Sequence, residues 1–506
     1  MDSGRIRRAF LNFLSSFGLT FVTFGTALIS SRLVIRHIGD ERFGAFRSLF
    51  ELFGYLGLLE GGLALTLRPL FAHSLAKERT DEAADLLRGS IATFRAGMFA
   101  MLALGLLISV VIHRIVPVSP VSLMDLRIAS FVMTCGLGNI CFGPHRTLCE
   151  AMQRSFLTNL LLIGQTVCIT ITTTLFCYRY PEWGISIQAS SVIFWVTFFN
   201  GIMHRVVLRL RRSMDLPESS GVGKSMSIRE MLSNSRTSFI FMLTGRVSIQ
   251  SNSLILGLFV GQSDVTKLYA TQRLFDVIQS QLFGVGNASW AAMAEIYHQG
   301  KIELFRKRIG QLVQLILVMG ISTVIPVYFF NRGFVTICYG SDRYGGDILT
   351  LVMAINAIAL SFTVFSTWCL TGTGMLKSVL RLTIVTSSLD VIFTLLFTWI
   401  LGRVGPVLGS CVVLCLISIP WHFQLLSSHF GVSGREVLRE NLRLGAFACV
   451  YLAIVGWLHA AVDVDSWLRL ALVMGLPSIG FLAGSLLFIL DPDQKSILKQ
   501  KFGIRR

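Results

Sequence analysis

Apolar runs of about 20 residues recur from one end of this 506-residue chain to the other. That is the length a helix rising 1.5 Å per residue needs to cross ~30 Å of hydrocarbon. Inside lipid every backbone N–H and C=O must be satisfied by the protein itself, so only helices and closed barrels are available. Barrel strands alternate apolar and polar residues over about ten positions, and these runs do not. The chain is 53% hydrophobic and 14% charged, against about a quarter charged in soluble domains. The expected fold is therefore an all-α polytopic membrane protein with about fourteen transmembrane helices.

The expected spans are approximately 9–35, 43–70, 90–116, 125–144, 155–178, 184–204, 237–259, 266–294, 309–331, 346–371, 379–401, 404–427, 443–462 and 467–490. The second and eighth are the most polar. Alternate loops differ sharply in Lys and Arg. The segments on the side of the N-terminus hold 29 of the 45, a roughly threefold bias over the opposite side. Both termini are thus expected in the cytoplasm. Most of the net charge of +17 is this topological bias. Nucleic-acid binding is not expected, because the basic residues are scattered over short loops. The ten cysteines include no CxxC and fall mainly inside apolar runs, where free Cys packs as a small apolar residue. No metal, cofactor or catalytic constellation is expected, and no Gly-rich phosphate loop is present. The chain reads as a transporter, not an enzyme.

The two halves resemble each other. Ile38-Gly39-Asp40 and Leu49-Phe50-Glu51 are echoed by Val260-Gly261-Gln262 and Leu274-Phe275-Asp276. Asp85-Leu86-Leu87-Arg88 is echoed by Glu303-Leu304-Phe305-Arg306, and Thr147-Leu148-Cys149 by Thr367-Trp368-Cys369. Their common order indicates a parallel repeat of two six-helix lobes. The expected organisation is an N-terminal lobe over 1–204, a basic Ser/Gly-rich cytoplasmic linker over 205–236, a C-terminal lobe over 237–427, and a helix pair with a basic tail over 428–506. Two related lobes with a site between them is a transporter architecture.

Particular motifs point further. Gly39-Asp40-Glu41-Arg42-Phe43-Gly44 resembles the G-x-x-x-[FY]-G start of the second helix in polysaccharide flippases. Gly61-Gly62 with Arg68 resembles the end of that helix. Gly372-x-Gly374-x3-Ser378 and Gly402-x2-Gly405-x3-Gly409 look like the tenth-to-twelfth-helix pattern of the same proteins. With its six-plus-six-plus-two plan, the whole chain is similar to the Wzx-type O-antigen and polysaccharide exporters of the MOP superfamily. The resemblance implies movement of an undecaprenyl-pyrophosphate-linked glycan across the inner membrane by alternating access, for polysaccharide or lipopolysaccharide biosynthesis. It implies as partners this anionic lipid-linked glycan, membrane lipids, and a polysaccharide polymerase and glycosyltransferases. The eleventh span departs from the family in having Asp390 and few asparagines.

An ionised side chain at mid-bilayer costs about 2.5–3.5 kcal/mol and usually faces a cavity or a partner. The second span carries Arg47, Glu51, Glu60 and Arg68. The seventh carries Arg246, and the eighth carries Arg273 and Asp276. Arg47, Arg246 and Arg273 are the candidate substrate-binding residues, because guanidinium offers a planar fork to pyrophosphate oxygens. Glu51, Glu60, Arg68, Asp276 and Asp390 are the candidates for lining the cavity or coupling to an ion. The bland alternative is that Arg47–Glu51 and Arg273–Asp276 are structural pairs. Arg32, Arg68 and Arg95 lie near span ends, where they can snorkel to the interface, and Arg95 reads that way. His422 reads as structural.

Three other readings compete. A MurJ-type peptidoglycan-precursor flippase fits the same plan. A MATE-type multidrug exporter is expected to carry a carboxylate in its first helix, and residues 9–35 contain neither Asp nor Glu. A membrane glycosyltransferase or polymerase needs larger external loops than these.

Overall fold

The computed structural model describes residues 3–57, 63–77, 79–152, 154–213 and 228–488. These residues are almost entirely helical, with no strand among them. The first helices are α1 (Ser3–Ile38), α2 (Asp40–Leu56), α3 (Leu63–Ala76) and α4 (Thr80–Ile115). Next come α5 (Leu123–Gly136), α6 (Gly143–Ala151), α7 (Ser155–Arg179), α8 (Gly184–Ser213) and α9 (Ile228–Phe259). The chain continues through α10 (Gln262–His298), α11 (Ile302–Tyr339), α12 (Asp347–Gly372), α13 (Leu376–Leu401), α14 (Gly405–Val413) and α15 (Ile419–Phe430). It closes with α16 (Gly434–Glu440), α17 (Leu442–Ala461) and α18 (Trp467–Phe488).

Where the described residues cover them, the fourteen expected spans fall on helix. Ten stretches are long and apolar enough to cross a bilayer among the described residues. One of them, Leu376–Phe430, is 55 residues long and contains both the eleventh and twelfth expected spans. The second, seventh and eighth, which carry the mid-span charges, fall outside that group. The protein is a multi-pass membrane protein. Its exposed apolar side chains, such as Trp399, Leu107 and Phe488, are what lipid-facing helices require.

Breaks in the helices have local causes. The fourth expected span, read as ending at 144, continues as helix to Ala151. A 3-10 segment at Leu137–Phe142 precedes Gly143-Pro144, and the helix resumes with proline in its first turn, where the missing N–H is harmless. In the twelfth, a π-helical turn at Leu414–Ser418 precedes Ile419-Pro420 and absorbs the same defect.

The chain divides into two compact units, Met1–Thr266 and Lys267–Arg506. In the first, one apolar cluster joins Phe71, Leu87, Phe94, Leu148 and Val207. A second joins Leu49, Phe53, Ile112, Leu126 and Ile185. Small polar residues tie helices together, as where Asn159 donates to Ser15 (3.0 Å) and Ser16 (2.9 Å). In the second unit α11 and α12 form the buried centre, with Phe330, Phe334, Phe362 and Phe365 inside.

Packing repeats between the units. The pairs α4–α5, α5–α8 and α7–α8 of the first correspond in order to α11–α12, α12–α14 and α13–α14 of the second. The sequence echoes fall on matching places. Asp85–Arg88 opens α4 and Glu303–Arg306 opens α11, with Leu87 and Phe305 both buried.

Pro326 interrupts α11 and determines how the C-terminal pair attaches. Lacking an N–H, it cannot bond the carbonyl four residues earlier, which belongs to Ser322. That buried carbonyl instead accepts from the Tyr451 hydroxyl of α17 (2.9 Å) and the Ser478 hydroxyl of α18 (2.8 Å). The defect in one helix thereby becomes the polar anchor of two others, as lipid burial demands.

Candidate functional site

Gly39 and Gly261 hold the two echoed turns in place, with φ of 84° and 133°, a region closed to most side chains. Each turn launches a polar helix, α2 and α10. The two helix starts meet with exchanged partners. Thr266 Oγ1 donates to the Asp40 carbonyl at 2.7 Å, and Gly44 lies against the Gln262 carbonyl. Asp40 aligns with Gln262 and Gly44 with Thr266, so this is the pattern a local two-fold relation produces. A Cβ on Gly44 would overlap the Gln262 backbone. The G-x-x-x-F-G motif therefore marks a close backbone approach as well as a helix start. Ser48 Oγ adds a 2.8 Å bond to Gln262 Oε1.

One turn further along α2, Arg47 and Glu51 pair at 3.1 Å, as their i,i+4 spacing allows. Their side chains are 31% and 13% exposed, so the carboxylate is the more enclosed partner. Tyr55 continues the same face and hydrogen-bonds Ser251 of α9 at 2.9 Å. On α10 the corresponding charges are arranged more loosely. Arg273 and Asp276 stand 4.0 Å apart, outside hydrogen-bond range. Asp276 accepts from Gln272 at 2.9 Å, and the Arg273 guanidinium lies 5.9 Å from the Tyr269 ring centroid, within cation–π reach.

The other expected site residues divide. Arg68, on α3, is exposed and lies 3.7 Å from Glu150, which Arg146 also holds at 3.1 Å. It belongs to a cluster joining α3 to α6. Asp390 is buried in α13. Glu60 lies outside the described residues, as does the side chain of Arg246, whose backbone is part of α9.

Several polar groupings had no counterpart in the sequence reading. Asp125 accepts the N–H groups of Ile185 (2.8 Å) and Ser186 (2.7 Å) at the first turn of α8, where a carboxylate complements the helix dipole. Glu41 accepts from both the backbone and the hydroxyl of Ser119. His145 and His204 face each other at 2.9 Å between α6 and α8. Residue 145 was expected in a loop, so no sequence signal paired these histidines. His422, the histidine expected to be structural, bonds Thr367 at 3.1 Å and the Ser418 carbonyl at 2.7 Å. That contact joins α12 to α15, the same pair of places in the second unit. Among the described residues no three His, Cys, Asp or Glu side chains gather closely enough to hold a metal ion.

No family model matches the sequence, and no curated protein matches it at the sequence level. Solved structures do match. Lipid II flippase MurJ in an inward closed conformation aligns with a TM-score of 0.74 at 10% identity, covering 95% of this chain and 99% of that one. An inward-facing multidrug resistance MATE family transporter of the MOP superfamily aligns at 0.67 with 14% identity, covering 81% and 98%. A MATE protein in complex with MaL6 aligns at 0.60 with 13% identity, covering 82% and 96%. The fold of this chain is the one found in the transporters of the MOP superfamily.

Proposed function

We propose that this protein is a flippase of a bacterial inner membrane. It moves an undecaprenyl-pyrophosphate-linked oligosaccharide from the cytoplasmic to the outer leaflet by alternating access, for O-antigen or other polysaccharide biosynthesis. Both termini lie in the cytoplasm. Arg47, Arg246 and Arg273 bind the cargo's pyrophosphate, and Glu51, Asp276 and Asp390 tune the charge around it or couple movement to an ion. Glycosyltransferases supply the substrate and a polymerase consumes it. The observation that supports this reading best is the placement of arginines with acids one turn away on α2 and α10, in a chain with a MOP-type fold. Such charges are expensive in lipid, and an anionic cargo gives the arginines a reason to be there.

A cationic drug is the weaker cargo, because arginines repel it and 9–35 offers no carboxylate. Lipid II is the second reading, supported by the match to MurJ over 95% of this chain. Reconstituted vesicles separate the three. With an imposed ion gradient and no ATP, the expected result is movement of polyprenyl-pyrophosphate oligosaccharide. Movement of lipid II alone would transfer the account to the second reading. Movement of a cationic dye alone, or strict ATP dependence, would overturn it.

A further inference from the structure

The first unit contains a pocket of about 280 Å³ whose charged lining, among the described residues, is Arg88 and Arg95 of α4 and Arg211 of α8. Ala84, Leu87, Ile91 and Ala92 complete it. Arg88 and Arg95 are seven residues apart, hence on one face two turns from each other. Arg211 joins them where Met203 and Val207 of α8 share an apolar cluster with Leu87 of α4. Beyond Arg95 the same face of α4 continues as exposed apolar surface, through Phe99, Leu106 and Val110. The loop charges assign the arginine end of α4 to the cytoplasm.

The second unit shows what the repeat itself requires at this place. Arg306, the echo of Arg88, gives its Nε–H to the Phe430 carbonyl at the end of α15, where a cation satisfies a helix C-terminus. Seven residues later α11 has Val313, fully inside the core. The frame is therefore built without a cation where the first unit has Arg95.

We infer that Arg88, Arg95 and Arg211 hold the phosphate headgroup of an anionic phospholipid from the cytoplasmic leaflet, with its acyl chains lying along the apolar face of α4. Basic pockets between helices on this side of a membrane suit such headgroups. The apolar pocket walls and the stripe running away from the arginines fit a lipid better than a free ion. The inference does not depend on the transported cargo.

Native mass spectrometry of the full-length protein tests it, with phosphatidylglycerol and phosphatidylcholine offered in equal amounts. Wild type should retain phosphatidylglycerol preferentially. Each arginine removed should weaken retention by about fivefold, and Arg88→Gln with Arg95→Gln and Arg211→Gln should abolish the preference. Arg95→Glu alone, at an exposed side chain, guards against a folding artefact and should reduce the preference at least as much as Arg95→Gln. Equal retention of both lipids by wild type, or an unchanged preference in Arg95→Glu, would overturn the proposal. Displacement of phosphatidylglycerol by millimolar inorganic phosphate would reassign the pocket to a free anion.

Discussion

α4 and α11 occupy the same place in the two units and start with the same pattern, yet they have been put to different uses. α4 carries no proline and presents arginines toward the pocket it shares with α8. α11 turns its arginine onto a neighbouring helix end, and Pro326 within it exposes a carbonyl that recruits α17 and α18. One helix keeps an open polar surface; the other spends its irregularities on internal attachment. A repeat thus fixes where helices lie, while one or two residues decide whether a helix meets lipid, ligand or another helix.

The largest expected effect comes from the sixth-helix starts, which extend the comparison. Gly184 begins α8 after the turn Pro181–Trp183, and Gly405 begins α14 after Gly402–Val404. A Cβ at 184 would press on the Ile38 side chain, whereas one at 405 would overlap the backbone of Phe397 and Thr398. Side chains can shift and backbones in a helix hairpin cannot. Gly184→Ala should cost about 1–3 kcal/mol, and Gly405→Ala should cost more, read as lost folded protein on size exclusion. Equal tolerance at both sites would break the comparison.

A smaller effect tests the anchor. The double variant Tyr451→Phe, Ser478→Ala leaves the buried Ser322 carbonyl without those two donors, a loss of about 1–3 kcal/mol. The melting temperature should fall. Adding Pro326→Ala restores a backbone donor and should recover much of it. If Pro326→Ala recovers nothing, the anchor is not the carbonyl.

The smallest effect concerns the polar helices. A double-mutant cycle on Arg47 and Glu51 should give a coupling of about 0.5–1 kcal/mol. The 4.0 Å pair Arg273–Asp276 should give less, since its carboxylate is more exposed and is shared with Gln272. A stronger coupling on α10 would reverse the ranking.

Much of this fold was legible because lipid imposes one rule on every helix. The apolar runs had to be spans. The polar character of α2 and α10 was legible for the same reason, since Arg47, Glu51, Arg273 and Asp276 stand out against apolar neighbours. What escaped was whatever depends on two distant segments meeting. Nothing in the sequence joins Arg95 to Arg211, or His145 to His204, until α8 is placed. Pro326 was visible, but the use made of the Ser322 carbonyl depends on where Tyr451 and Ser478 dock. Arg68 read as a span residue, and its place beside Glu150 depends on where α6 docks against α3.

The central claim is that arginines on α2, α9 and α10 bind a pyrophosphate, and the direct measurement is the translocation rate of a polyprenyl-pyrophosphate oligosaccharide by Arg246 and Arg273 variants. The protein must be present in the membrane at wild-type abundance. Losing a guanidinium that forks onto phosphate costs about 2–5 kcal/mol, so Arg246→Ala with Arg273→Ala should slow transport by about 30-fold or more. Lysine at both sites should restore only part of the rate, because a point charge replaces two directed bonds. Full export by the alanine double variant would contradict the account and leave these arginines as structure.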